Sequence, residues 1–114
     1  MDATELILLY DYYGDLLTDR QKECFELRYN QDLSLGEIGQ ELGISRQGVF
    51  DNLSRTEALL KNMESKTGCV RRDMQCRKAM HLIRKVAQQL SGSKDPLAAE
   101  LADKIADITR EIEE

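Results

Sequence analysis

With 114 residues, 41% hydrophobic and 32% charged, the chain has enough apolar surface for a core of its own, which excludes a disordered tail. One Pro, seven Gly and no Trp exclude collagen-like and low-complexity character, and abundant Leu, Glu, Ala, Lys, Arg and Gln with few β-branched runs predict an all-α fold. A formal net charge of −5 gives no global attraction to nucleic acid or anionic membrane, so such a partner has to be met through a local patch.

Thr4 is placed to cap a first helix in which Leu6, Ile7, Leu9, Tyr10 and Tyr13 recur at helical spacing, and Gly14 to end it in the left-handed conformation. Thr18-Asp19-Arg20-Gln21 is a capping box, in which the hydroxyl and the amide satisfy backbone N–H groups reciprocally. The helix it opens carries Cys24, Phe25 and Leu27 to Tyr29 and breaks at Asn30-Gln31-Asp32. Ser34-Leu35-Gly36-Glu37 repeats the pattern for a third helix, with Ile38 and Leu42 on one face and Gly43 at its end. Ser45 caps a long fourth helix reaching about Ser65, with a stripe of Val49, Leu53, Leu60 and Met63 and with Thr56 and Leu59 beside it.

Lys66-Thr67-Gly68 is the expected hinge, dividing the chain into a domain of residues 1–65 and an extension of residues 66–114. From Cys69 to Leu90 a fifth helical period appears in Val70, Met74, Ile83, Val86 and Leu90, ended by Ser91-Gly92-Ser93-Lys94. Asp95-Pro96 joins an N-cap to a Pro at the first helical position. The sixth helix then presents Leu97, Leu101, Ile105, Ile108 and Ile112 as a narrow seam suited to helix pairing. From Lys66 to Lys85 there are seven basic residues against Asp73, a net of +6, and from Asp95 to Glu114 seven acidic ones against Lys104 and Arg110, a net of −5. The two helices are expected to form a hairpin and neutralise each other.

Residues Leu35 to Val49 have the spacing of a helix-turn-helix. Gly39 is small where two helices cross, Gly43 supplies a positive φ at the turn, and Ile38, Leu42, Ile44, Val49 and Leu53 share a core. If the motif reads DNA, the helix from Ser45 is the recognition helix, and its outward face holds Arg46, Gln47, Phe50, Asp51 and Ser54. Arg46 suits guanine, Gln47 adenine, Phe50 a thymine methyl and Asp51 cytosine N4. Arg55 and the helix starts at Ser34 and Ser45 would hold phosphates. The alternative is that Arg46 and Asp51 are solvated charges, that Arg55 pairs with Asp51, and that Phe50 covers a neighbouring helix. Residues 31–65 carry three basic and six acidic residues, a poor balance for a stand-alone DNA reader.

Val49-Phe50-Asp51-Asn52-Leu53-Ser54-Arg55 resembles the end of region 4 of sigma-70-type factors, particularly those of extracytoplasmic function. The stretch from about Leu6 to Ser65 is similar to the YlxM-like family of small bacterial helix-turn-helix proteins, most clearly in Tyr13-Gly14, Leu17-Thr18-Asp19, Asp32 to Ile38 and Ser45-Arg46-Gln47. The resemblance implies a sigma-70 region 4-like helix-turn-helix of the winged-helix-type superfamily, without an evident wing, followed by a C-terminal helical hairpin. It also implies a link to the signal recognition particle pathway, through genes that neighbour that of its GTPase. Two readings stay open: a DNA-binding regulator, or an adaptor that binds a protein or the signal recognition particle and never reads DNA.

No phosphate-binding loop, HExxH or nucleophile elbow occurs, so no enzymatic activity and no cofactor are expected. Cys69, Cys76 and His81, at spacings of 7 and 5, do not converge on a tetrahedral site, so no metal is expected either. Cys24, Cys69 and Cys76 read as free thiols. No apolar run approaches the roughly 20 residues of a bilayer span, and Met1 to Glu5 lacks a basic leader, so the expectation is a cytoplasmic protein without a membrane span. A homodimer is expected through Leu97, Leu101, Ile105, Ile108 and Ile112, because a lone helix-turn-helix reads few base pairs.

Overall fold

A computed structural model describes residues 2–113. Among them the chain forms α1 (Ala3–Tyr13), a 3-10 turn (Gly14–Leu16), α2 (Asp19–Tyr29), α3 (Leu35–Leu42), α4 (Arg46–Thr67), α5 (Cys69–Ser91) and α6 (Pro96–Glu113), with no strand. The fold is all-α, a helix-turn-helix followed by a helical hairpin. It divides into two compact units, one running through Val70 and one beginning at Arg71.

Local capping accounts for most helix limits in the first unit. Thr18 N–H donates to Gln21 Oε1 at 2.9 Å while Gln21 N–H donates to Thr18 Oγ1 at 3.2 Å. The pair of Ser34 and Glu37 repeats this at 3.0 and 3.1 Å. Two limits differ from the sequence expectation. Asp2, not Thr4, caps α1, its carboxylate accepting from Glu5 N–H at 2.8 Å, and Thr4 lies inside the first turn. Gly14 is right-handed (φ −56) and leads into the 3-10 turn. A Cβ there would lie 3.3 Å from the Tyr10 ring, so its small size, rather than a positive φ, is what the site uses.

Two clusters form the core of this unit. Leu6, Leu9, Tyr13, Leu17, Phe25, Leu60 and Val70 join α1 and α2 to the second half of α4 and the first residues of α5. Tyr10 stacks on Phe25 at 4.2 Å between ring centroids. Cys24, Leu27, Ile38 and Val49 join α2 and α3 to the first half of α4, with Leu33, Leu35, Leu42, Ile44 and Leu53 packed around them. At the end of α4, Gly68 turns left-handed (φ 61) and Glu64 Oε1 accepts from both the Tyr13 hydroxyl, at 2.7 Å, and Val70 N–H, at 3.0 Å. One carboxylate thereby ties α1 to the start of α5.

The second unit is an antiparallel hairpin of α5, from Arg71 on, and α6. Asp95 Oδ1 accepts from Leu97 N–H at 3.0 Å and opens α6 at Pro96. The helices meet through small side chains, with Ala87, Ala102 and Thr109 buried. The ion pairs of Arg77 with Asp73 and of Arg110 with Asp107 run along single helices. Leu82, Ile83, Val86 and Leu90 of α5 and Leu97, Leu101, Ile105, Ile108 and Ile112 of α6 all remain 37–62% exposed.

Candidate nucleic-acid interface

The turn between α3 and α4 fixes which face of α4 looks outward. Gly43 adopts φ 71 and ψ 32, and Ile44 N–H bonds back to the Gly39 carbonyl at 3.0 Å, the six-to-one bond of a Schellman ending. Gly39 lies where the following chain crosses α3: a Cβ there would sit 2.7 Å from the Ile44 carbonyl oxygen. Ser45 then opens α4 by accepting from Gly48 N–H at 3.0 Å. Two arginines of α2 brace this geometry from outside. Arg20 Nη1 donates to the Leu42 carbonyl at 3.4 Å, an orphan acceptor at the end of α3, and Arg28 Nη1 to the Leu33 carbonyl at 2.9 Å.

With Val49, Thr56 and Leu60 fully buried, the helical period turns the opposite face of α4 to solvent. Arg46, Gln47, Phe50, Asp51, Ser54 and Arg55 are all exposed, as are Ser34 and Ser45. Phe50 is 52% exposed. Asp51 accepts from Gln47 Nε2 at 3.0 Å, so its partner one turn away is the amide of Gln47 and not Arg55. Arg55 stands round the helix instead, beside Gln21, Ala58, Leu59 and Asn62 in a shallow groove between α2 and α4. The hydroxyls of Ser34 and Ser45 both serve as helix caps.

The titratable groups near this face shift for local reasons. The Ser34 backbone N–H, followed by its hydroxyl, holds the Glu37 carboxyl below its ordinary value. Burial, opposed by the nearby Arg20 charge, pushes the Cys24 thiol up, so this cysteine behaves as a packed apolar residue. Among the described residues no group of three His, Cys, Asp or Glu side chains gathers as a metal site would, and no helix is long and apolar enough to cross a membrane. His81 is an exposed residue of α5. Sequence reasoning missed the Arg20 brace, because a side chain reaching a carbonyl 22 positions away leaves no local pattern.

A left-handed glycine between two crossed helices, a small residue at the crossing and a capped second helix with an outward polar face define a helix-turn-helix protein. The model of the UPF0122 family, described as "Putative helix-turn-helix protein, YlxM / p13 like", matches residues 1–108. The chain belongs to this family. It is 46% identical over 114 residues to a UPF0122 protein of Thermoanaerobacter sp. (strain X514), covering 99% of this chain and 95% of the relative. It is 44% identical over 93 residues to the UPF0122 protein YlxM of Bacillus subtilis (strain 168), covering 82% of each. A UPF0122 protein of Acetivibrio thermocellus is 54% identical over 71 residues, 62% of this chain and 61% of the relative.

Proposed function

We propose that the protein is a bacterial, cytoplasmic DNA-binding regulator that reads duplex DNA with the first turns of α4 and works as a homodimer through the α6 seam. The observation that carries the reading is the exposed start of α4, where Phe50 stands 52% exposed on the same outward side as Arg46, Gln47 and Ser54. A large apolar side chain left in water on the reading face of such a helix suits a thymine methyl, and Arg46 in the first turn suits a base edge. Ser34, Ser45 and Arg55 would position phosphates. In this reading Asp51, which accepts from Gln47, orients that amide for adenine. In this reading such regulation would serve the signal recognition particle pathway, as the resemblance of Leu6 to Ser65 implies.

A second reading is favoured by charge. Residues 31–65 are net negative, and the exposed Phe50 would equally anchor a protein partner, which makes the molecule an adaptor of the same pathway.

Selection of sites from a random duplex library at low salt separates the two. The DNA reading expects the wild type to enrich one sequence, and Arg46→Ala to lose roughly 1–3 kcal/mol of specific binding, about five- to 150-fold, at unchanged stability. No enrichment, or equal enrichment by both proteins, overturns DNA reading in favour of the adaptor.

A further inference from the structure

We propose that the α5–α6 hairpin is one half of a symmetric four-helix bundle completed by a second copy of this chain, with α5 packed against α6 of the partner subunit. The proposal rests on the homodimer reading and adds to it the contribution of α5 and the direction of pairing.

The hairpin by itself has almost no large apolar core. Among the described residues from Arg71 onward the buried side chains are Ala87, Ala102 and Thr109, while the large apolar residues that stay exposed, Met74 apart, are gathered on one side. Ile105 of the α6 seam borders a groove with Leu82, Ile83 and Val86 of α5, whereas the opposite side is polar, with Arg84, Gln88, Asp103 and Arg110 around a second groove. The apolar side carries nine large residues, each 37–62% exposed. Together they present on the order of 800 Å² per protomer, about what each partner of a standard specific interface buries. A patch of this size is larger than monomers normally leave in water.

Charge selects the occupant and the direction. The helical period puts the exposed Lys78 and Lys85, seven residues apart, along the outer edge of the apolar side on α5. It puts the exposed Glu100, Asp107 and Glu111 along the outer edge on α6, with Lys104 among them. A two-fold axis parallel to the helices lays the basic edge of one copy on the acidic edge of the other. An axis across the helices would lay basic on basic and acidic on acidic, which costs energy. Rotation about a parallel axis preserves height along the bundle. Ile105 is level with Leu82 to Ala87 and Ile112 with the span from Asp73 to Arg84, so Lys78 meets Glu111 of the partner subunit. The same rotation brings both hairpin loops to one end of the bundle.

The test is sedimentation equilibrium at micromolar concentration on the full chain, with helix content checked by circular dichroism. The wild type should weigh twice 13.0 kDa. Lys78→Glu and Glu111→Lys should each raise the dimer dissociation constant roughly tenfold, and the double variant should return to within about threefold of wild type. A spin label at Ser93→Cys, with Cys69→Ser and Cys76→Ser, should give a pair distance below roughly 25 Å, because both hairpin loops share one end. Loops at opposite ends would be separated by at least the length of the helices, about 30 Å. A monomeric wild type overturns the homodimer itself and leaves DNA reading by α4 to its own test. A dimer that Lys78→Glu leaves unchanged or tightens, or a label distance beyond about 30 Å, overturns the crosswise pairing alone.

Discussion

Alanine at Gly39 and at Gly36, three residues apart on α3, should move stability in opposite directions. In a helix interior Gly→Ala normally stabilises by roughly 0.8–1 kcal/mol, because alanine has less backbone freedom to lose. Gly36 lies in the first turn of α3 and has room: its new methyl would find only Ser34 Oγ, at 4.0 Å, and Gly36→Ala should stabilise by about 0.5–1 kcal/mol. At Gly39 the methyl would stand 2.7 Å from the Ile44 carbonyl oxygen and 3.5 Å from Arg46 N. These are backbone atoms that cannot rotate away, so the turn and the start of α4 would have to shift. Overpacking of this kind costs about 1–3 kcal/mol, and after the helix gain a net loss of up to about 2 kcal/mol remains. Urea unfolding followed by circular dichroism reads both values, and two stability changes of the same sign would refute the claim that the helix crossing depends on a missing side chain. Gly39→Ala should also weaken any DNA binding more than its stability loss explains, because the shift moves Arg46.

Thr56→Val should stabilise the protein by about 1 kcal/mol in the same unfolding assay, because the Thr56 hydroxyl is fully buried and without a hydrogen-bond partner. Glu37 has its carboxyl held low by the Ser34 backbone N–H, so its stabilising effect is present above the unfolded carboxyl pKa and fades as pH falls through the lower folded value. Glu37→Gln, which keeps an acceptor for that N–H, should flatten this part of the acid limb of an unfolding-midpoint profile. Tyr10 is pushed up to about 12 by burial, then by its hydrogen bond to Glu26 and the charge there. Its contribution is complete below pH 10 and lost between about 10 and 12, so a tyrosinate absorbance titration should show a late component, to which Tyr13, also pushed up by burial, contributes, and which Tyr10→Phe should reduce by one tyrosine.

The local grammar of the motif was legible because it works over three or four residues. Thr18 with Gln21, Ser34 with Glu37, Gly43 and Ser45 act on backbone groups within one turn, and each does in the structure what its spacing predicts. Thr4 failed for the same reason: Asp2, two residues earlier, satisfies the same kind of orphan N–H and begins the helix sooner. The outward face of α4 followed from the positions of Val49 and Leu53, although the bond from Gln47 to Asp51 did not, since either residue had other partners to choose from.

What the chain specifies by itself is therefore the succession of helices, their caps and the small residue at the crossing. These depend on neighbours within a turn and need nothing from the rest of the molecule. Only tertiary structure decided that Thr56 lies at the buried centre of α4 rather than beside its stripe, that Glu64 ties Tyr13 to the start of α5, and that alanines hold the hairpin while its leucines and isoleucines stay in water. Periodicity shows that a helix has an apolar face, but which face is covered depends on what packs against it, and those partners lie tens of residues away.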